Sequence, residues 1–341
     1  MEFAPHLLVD TEALAGNWRR LARASGRARC GAAIKADGYG LGAHGVLDAL
    51  FAAGAREFFV ASWAEAAALG TLPEGARLAV FHGVTPAEME TALWLSPQVR
   101  PVLNTPAQVA LWRETGRSAD VMVDTGMNRL GLTDLSVLAG FPLDTLHSHL
   151  ACADTPSHPL NTAQLTAFRA AASTLPPVPL ALANSAGIAL GPDYHLDLTR
   201  PGIGLYGAGP SAERDQLEPV FAIKAPVLQL REVPAGHAIG YGAAYAAPRP
   251  MRVAVAALGY ADGYPRGLTG HGAAIHEGVR CPLVGRVSMD LTMFDVSDAP
   301  QIAEGDWLAI DFDLAAAAAA LGRAEYELLT GLGHRYARVY R

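Results

Sequence analysis

One lysine, two arginines, a histidine, a serine and several glycines stand where this 341-residue chain turns from a short apolar run into a loop. Lys35 lies in AAIKADGYG, Arg129 in VDTGMNRLG, His149 in SHLACAD, Ser185 in ANSAG, and Arg200, Gly202 and Ile203 in TRPGIGLYG. A lysine amine forms a Schiff base with an aldehyde, and an arginine offers carboxylate or phosphate a planar fork of N–H donors. Backbone amides in glycine-rich turns, with hydroxyls such as those of Ser185 and Tyr39, take up phosphate oxygens without a cluster of lysines. Each residue also has an ordinary reading: a solvated rim charge for Lys35, a core ring for His149, a loop anchor for Arg200, a helix N-cap for Ser185. Their recurrence at one loop after another is what points to a site.

The elements that must position them alternate. From residue 30 to about 207, short apolar runs give way to segments with helical spacing, which is the βα signature of a parallel sheet. The expected strands are Ala32–Lys35, Phe58–Ser62, Leu78–His82, Arg100–Asn104, Asp120–Asp124, Thr145–Leu150, Leu180–Asn184 and a last one near Leu205. Helices are expected over Val46–Ala53, Pro86–Leu95, Ala107–Arg113 and Ala163–Ala172. Eight such strands predict an α/β fold, a closed (β/α)8 TIM-type barrel over residues 1–215, whose site lies at the C-terminal ends of the strands. After residue 210 the texture changes to β-rich runs such as VFAIKAPVLQLREV, MRVAVAALGYA and CPLVGRVSMDLTMFDV, a mainly β domain over 216–341. The early run HLLVD, within the first ten or so residues, either opens the barrel or pairs with that later domain. The alanine tract at 315–320 favours helix.

A lysine at the first strand and phosphate-type donors at the last two unite in one cofactor, pyridoxal 5'-phosphate, with its phosphate near Ser185, Gly202, Ile203 and the Tyr39 hydroxyl. The motifs in their order, AAIKADGYG, VDTGMNRLG, SHLACAD, ANSAG, TRPGIGLYG, IGYGAAY, LGYADGYPR and VGRVSMD, resemble those of the alanine racemase family, fold-type III pyridoxal-phosphate enzymes, over nearly the whole chain. The resemblance implies that Lys35 bonds the cofactor and is one of two catalytic bases, with Tyr260 the other. It also implies a head-to-tail homodimer in which Tyr260 and Met289 reach the partner's site. Arg129 would bind the substrate carboxylate and the cofactor's phenolic oxygen, helped by the Met289 backbone, and Arg200 would face the pyridine nitrogen, braced by His149. Interconverting L- and D-alanine in this way would supply D-alanine for peptidoglycan.

Physical chemistry makes the implied roles coherent. Inversion at Cα removes a proton from one face and returns one to the other, so two groups on opposite sides are needed. Lysine and tyrosine both have free pKa values of roughly 10, so the site must lower them. An arginine, itself always protonated, can only donate to an unprotonated ring nitrogen, which leaves the ring a weaker electron sink and discourages transamination.

Several positions depart from the family pattern. Met122 replaces a lysine that many members carbamylate to brace the carboxylate-binding arginine; Asn128 replaces a glycine and is expected to take over part of that bracing. Asp37 and Leu41 stand for asparagine and histidine, and His334 for an entrance tyrosine. Met122 and His334 motivate an alternative, a broad-specificity amino-acid racemase. A non-catalytic pyridoxal-phosphate-binding barrel is the other alternative, disfavoured by the second domain with its GYADG and SMD motifs.

Composition narrows the class further. A net charge of −7 without a basic run argues against nucleic acid, and no apolar run is long enough to span a membrane. Three scattered cysteines, Cys30, Cys152 and Cys281, offer neither a disulfide framework nor a metal cluster, and the N-terminus lacks a secretory pattern, so a cytoplasmic enzyme is expected.

Overall fold

The computed structural model describes residues 3–209 and 216–341, in two compact units: residues 12–219, and residues 220–341 with the N-terminal residues through Thr11. The units part between Pro219 and Val220; the boundary placed at 215/216 from sequence texture touches residues 210–215, outside the described residues.

The larger unit is built on parallel strands at Arg29–Cys30, Ala32–Ala33, Glu57–Val60, Arg77–Val80, Val99–Leu103, Ala119–Met122, Leu143–His147, Leu180–Ala181 and Leu198–Thr199. Arg29–Cys30 pairs with Leu198–Thr199, and Ala32–Ala33 pairs with Glu57–Val60. These two pieces are one strand broken at Gly31, so the ring closes with eight. A Cβ at position 31 would lie 2.7 Å from the Phe59 ring and 2.8 Å from the Glu57 carbonyl oxygen, which is why only glycine fits the break.

Two strands differ from the sequence expectation. The first strand ends at Ala33, so Lys35 already belongs to the following turn, Lys35–Tyr39. The last strand is Leu198–Thr199 and not a run near Leu205, where Ile203–Tyr206 forms a 3-10 turn. Pro201 has no N–H to extend the ladder, which stops the strand early. The outer helices start on recognisable signals: Ser62 and Glu65 form a reciprocal capping box, and Thr105 caps Pro106–Arg113 with proline at the first turn.

Charges cross the barrel interior. Phe59 and His147, on the second and sixth strands, meet edge-on at 6.1 Å, a contact available only through the inside of the ring. Beside them Arg100 pairs with Glu57 (3.1 Å) and with Asp120 (2.8 Å), and His147 Nε2 meets the other Asp120 oxygen at 3.0 Å. Arg29 and Arg77 add to Glu57, and Arg77 also binds Asp144. Burial pushes the Asp120 carboxyl up, but Arg100 and the His147 hydrogen bond overcome this and hold it below the usual carboxylate range. Burial pushes His147 down, against the pull of Asp120.

The smaller unit is mainly antiparallel, with its long strand Phe221–Val233 paired to Met251–Ala256 and Trp307–Asp311. His6–Val9, whose partner the sequence left open, runs antiparallel to Phe221–Val233 and parallel to Ala337–Tyr340. The alanine tract is helical over Leu314–Leu321, capped by Asp313. No helix among the described residues is long and apolar enough to cross a membrane.

Replacing Arg100 by methionine leaves Asp120 with His147, and Glu57 with Arg29 and Arg77. Removing the one buried guanidinium between them is expected to lower unfolding free energy by about 3 kcal/mol, measured by urea denaturation. Unfolded His147 protonates near pH ~6.5, whereas the folded ring resists protonation, so the unfolded chain binds more protons below that pH. Its contribution to stability is therefore complete above about pH 6.5 and shrinks as pH falls toward the lower folded pKa. His147→Asn should flatten the fall of Tm between about pH 7 and 5 relative to the parent.

Candidate active site

Lys35 stands at the entrance of a turn that L-residues avoid. Ala36, Asp37 and Tyr39 have φ of 53°, 53° and 54°, beside Gly38 at 62°. Left-handed backbone costs roughly 1–2 kcal/mol per non-glycine residue, and such strain gathers at functional sites. Hydrogen bonds offset it: Gly38 N–H to the Ile34 carbonyl (2.9 Å), Ala43 N–H to Asp37 Oδ1 (2.8 Å) and Ala36 N–H to Glu65 Oε1 (2.7 Å). Burial, and then Arg129, push the Lys35 pKa down, with Glu65 pulling the other way. Sequence reading missed Glu65. Its S-x-x-E capping box was visible in SWAE, but not that its second oxygen would reach across to the lysine turn.

At the last two strands a nest of donors gathers. Ser185 is not the helix cap; Asn184 is, its side chain accepting from Gly187 N–H at 2.8 Å. Ser185 Oγ instead accepts the amides of Gly202 (2.9 Å) and Gly204 (3.1 Å), which leaves its own hydrogen to donate elsewhere. The Ile203 amide between them has no acceptor among the described residues. A Cβ at position 202 would collide with the Tyr39 hydroxyl, so glycine there is what lets Tyr39 approach. Tyr39 stacks on Tyr206 (centroids 4.5 Å apart), whose hydroxyl donates to the Ala33 carbonyl at 2.9 Å.

Arg200 is buried, with Nη2 donating to the carbonyls of Ser148 (2.7 Å) and Leu182 (3.2 Å) and Nη1 without a partner among the described residues. The bracing expected from the His149 ring comes from these two carbonyls. Burial pushes Arg200 down to about 10, with Asp120 resisting. His149 is pushed down to about 3 by burial and then by Arg200, Arg129 and Lys35, so its imidazole is neutral. Arg129 is exposed on its loop and Met122 is buried. Asn128 does not brace Arg129: its φ is 55°, a conformation asparagine tolerates, and its amide donates weakly to the Gly126 carbonyl at 3.4 Å.

The smaller unit carries a cluster of its own. Tyr260 and Met289 are 44% and 53% exposed, on turns bound to one another by Tyr260 N–H to the Ser288 carbonyl and Ala261 N–H to the Met289 carbonyl, both 3.0 Å. Arg335, which the sequence offered only as part of RYARVY, joins these turns through Asp262 (2.7 Å) and Asp290 (2.6 Å). Its neighbour His334 is exposed.

A closed parallel barrel with a partly buried lysine beyond its first strand, phosphate-type donors at its last two and a separate β domain defines a cofactor-dependent enzyme class. Family models confirm the class on both units: the alanine racemase N-terminal domain matches residues 9–210 and the C-terminal domain residues 220–340. The chain belongs to the alanine racemase family. It is 43% identical to the catabolic alanine racemase of Agrobacterium fabrum over 98% of this chain and 92% of that one. With an alanine racemase of Cereibacter sphaeroides it shares 44% identity over 98% and 97% of the two chains. Among solved structures, alanine racemase from Bartonella henselae with covalently bound pyridoxal phosphate superposes with a TM-score of 0.88 at 35% identity, covering 99% of each chain. Biosynthetic alanine racemase from Pseudomonas aeruginosa gives 0.84 at 34%, again over 99% of each.

Arg335→Leu removes the tie between the two turns and leaves the buried Asp262 with only the Gly259 amide. A loss of about 1–2 kcal/mol is expected, because Arg335 is itself half exposed and partly screened, and thermal unfolding checks it.

Proposed function

We propose that this protein is an alanine racemase that interconverts L- and D-alanine with pyridoxal 5'-phosphate, Lys35 and Tyr260 serving as the two bases. The observation that carries the reading is Lys35: an amine just past the first barrel strand, its pKa lowered by burial and by Arg129, in a chain of the alanine racemase family. The residues present fit the cofactor. Lys35 suits its aldehyde, the Ser185 hydroxyl, the Ile203 amide and Tyr39 suit its phosphate, and the unpartnered Nη1 of buried Arg200 suits an unprotonated ring nitrogen. When bound, the cofactor supplies the electron sink that acidifies the substrate's Cα hydrogen.

The chain's own residues do the rest. Arg129 holds the substrate carboxylate, with the Met289 backbone beside it. Burial, and then Arg129, lower the Lys35 pKa and so favour the neutral amine, the form that removes the Cα proton on one face and, once protonated, returns it. The Tyr260 hydroxyl does so on the other. Arg200, at about 10, stays protonated and donates to the ring nitrogen without protonating it, while neutral His149 adds no further positive charge. The protein acts as a head-to-tail homodimer in the cytoplasm, with Tyr260 and Met289 of one chain completing the barrel site of the other; their exposure, with Tyr241 at 72%, supports such an interface. D-alanine for peptidoglycan is the product that matters.

A broader amino-acid racemase is the second reading, favoured by the apolar Met122 where a charged brace for Arg129 would stand. Turnover of serine and larger amino acids against alanine separates the two. Chiral analysis of L-alanine incubated with protein and cofactor tests the main proposal, and failure to form D-alanine would sink it. Lys35→Ala should abolish both racemisation and the visible absorbance of bound cofactor. Tyr260→Phe should keep the absorbance and slow racemisation from either enantiomer by about 10²–10⁴. Under verified subunit exchange, mixing these two variants should restore activity, and no recovery counts against the composite site.

A further inference from the structure

The VDTGMNRLG loop is closed at its base by Leu132 N–H to the Met122 carbonyl (2.8 Å) and Asp124 N–H to the Leu132 carbonyl (3.1 Å). Asp124 Oδ1 gathers the amides of Gly126, Met127 and Asn128 at 2.9, 3.0 and 3.1 Å. The Asp124 contacts shape the loop internally, while the Leu132–Met122 bond ties its base to the barrel strand. A side-chain attachment to the barrel passes through Thr125. Thr125 Oγ1 lies 2.8 Å from Ser148 Oγ and accepts from Gln164 Nε2 at 3.2 Å. Ser148 and Gln164 are both buried.

The protons in this cluster can be assigned by counting. Ser148 donates its one hydrogen to the Val123 carbonyl (2.9 Å), so the Thr125 hydroxyl must donate to Ser148. Thr125 oxygen in turn accepts from Gln164. The result is a directional chain, Gln164 amide to Thr125 hydroxyl to Ser148 hydroxyl to Val123 carbonyl, in which each bond polarises the next. Gln164 is fixed independently, donating to the His149 carbonyl (2.9 Å) and accepting from Ala151 N–H (2.8 Å). Ser148 has a second duty, since its carbonyl is the shorter of the two partners of Arg200.

We infer that Gln164, Thr125 and Ser148 form a clasp that positions the Arg129 loop for the substrate carboxylate and fixes its spacing from Arg200, through neutral hydrogen bonds in place of a charged brace. The three are positioning residues; none is assigned contact with substrate. The inference rests on the proposed role of Arg129. The clasp accounts for how an exposed arginine keeps a defined place: the loop is held from beneath, by buried groups, at the residue after Asp124.

Thr125→Val keeps the shape and removes both bonds, while Ser148 keeps the Val123 carbonyl and Gln164 keeps His149 and Ala151. In the holoenzyme it should raise KM for alanine about tenfold, with kcat within about twofold and the visible spectrum unchanged. Amide hydrogen exchange over residues 125–131 should quicken by a similar factor, and Thr125→Ser should restore both. Gln164→Met removes the same bond to Thr125, together with those to His149 and Ala151, and should act in the same direction. Exchange and KM at parental values in both variants overturn the clasp. Faster exchange with unchanged KM, in an enzyme whose KM does rise on Arg129→Leu, overturns its positioning role. Should Arg129→Leu itself leave KM unchanged, the role of Arg129 falls and the positioning claim with it.

Discussion

Uncompensated positive charge at the mouth of the barrel is the constraint on which the site depends. Lys35, Arg129 and Arg200 all press on His149, Arg129 presses on Lys35 as well, and Glu65 is the carboxylate that answers Lys35. Burial is the larger reason that the lysine pKa falls and the histidine stays neutral, and the neighbouring cations push both the same way. The cluster is also a site prepared for anions: a phosphate and a carboxylate relieve the repulsion that folding has built in. Donors left open, Arg200 Nη1 and the Ile203 amide among them, point to the same conclusion from hydrogen bonding instead of charge.

Beneath this mouth the charges are balanced. Glu57, Asp120 and Asp144 answer Arg29, Arg77 and Arg100, and Asp120 is the junction, taking Arg100 on one oxygen and His147 on the other. Asp120 also resists the fall of the Arg200 pKa, so the lower network reaches upward electrostatically. A buried ionic network contributes little net stability over well-packed apolar residues. Its consequence here is geometric: the strand that carries His147 continues directly into Ser148, whose carbonyl holds Arg200. Fixing the ring of His147 fixes the place from which the arginine is hung.

What the sequence made legible was local. Alternating apolar runs and helical segments revealed the barrel class, and residues following each run were the ones the structure gathers at the strand ends. The break at Gly31 was not legible, because its cause is the Phe59 ring and the Glu57 backbone, some thirty residues away. The glycines at 38, 40 and 42 signalled a turn with positive φ, but not that it would take in Ala36 and Tyr39, which carry no local signal for it; a long-range bond to Glu65 helps hold that backbone. The interior network left a faint trace. EFFV, VRPVL and ADVM each hold one charge within an otherwise apolar strand, LDTLH holds Asp144 and His147, and a charge in such a run needs a buried partner. Pairing them required the closed ring, which places the second strand opposite the sixth.

The proposed second base, Tyr260, raises a different problem, because racemisation demands groups on two faces and Lys35 and Tyr260 lie in different units. A composite site works only if each half holds its geometry before the halves meet, since a displacement of about 1 Å costs on the order of a hundredfold in rate. Both halves meet that requirement by internal contacts. The barrel half is set by the lysine turn, the Ser185 nest and the two carbonyls on Arg200. In the β unit, the Tyr260 turn is bonded to the Ser288 and Met289 backbone and tied through Asp262, Arg335 and Asp290. Neither set of contacts draws on the other unit, so assembly of the proposed site needs only the docking of two surfaces already ordered, and the entropy of fixing the bases has been spent in folding.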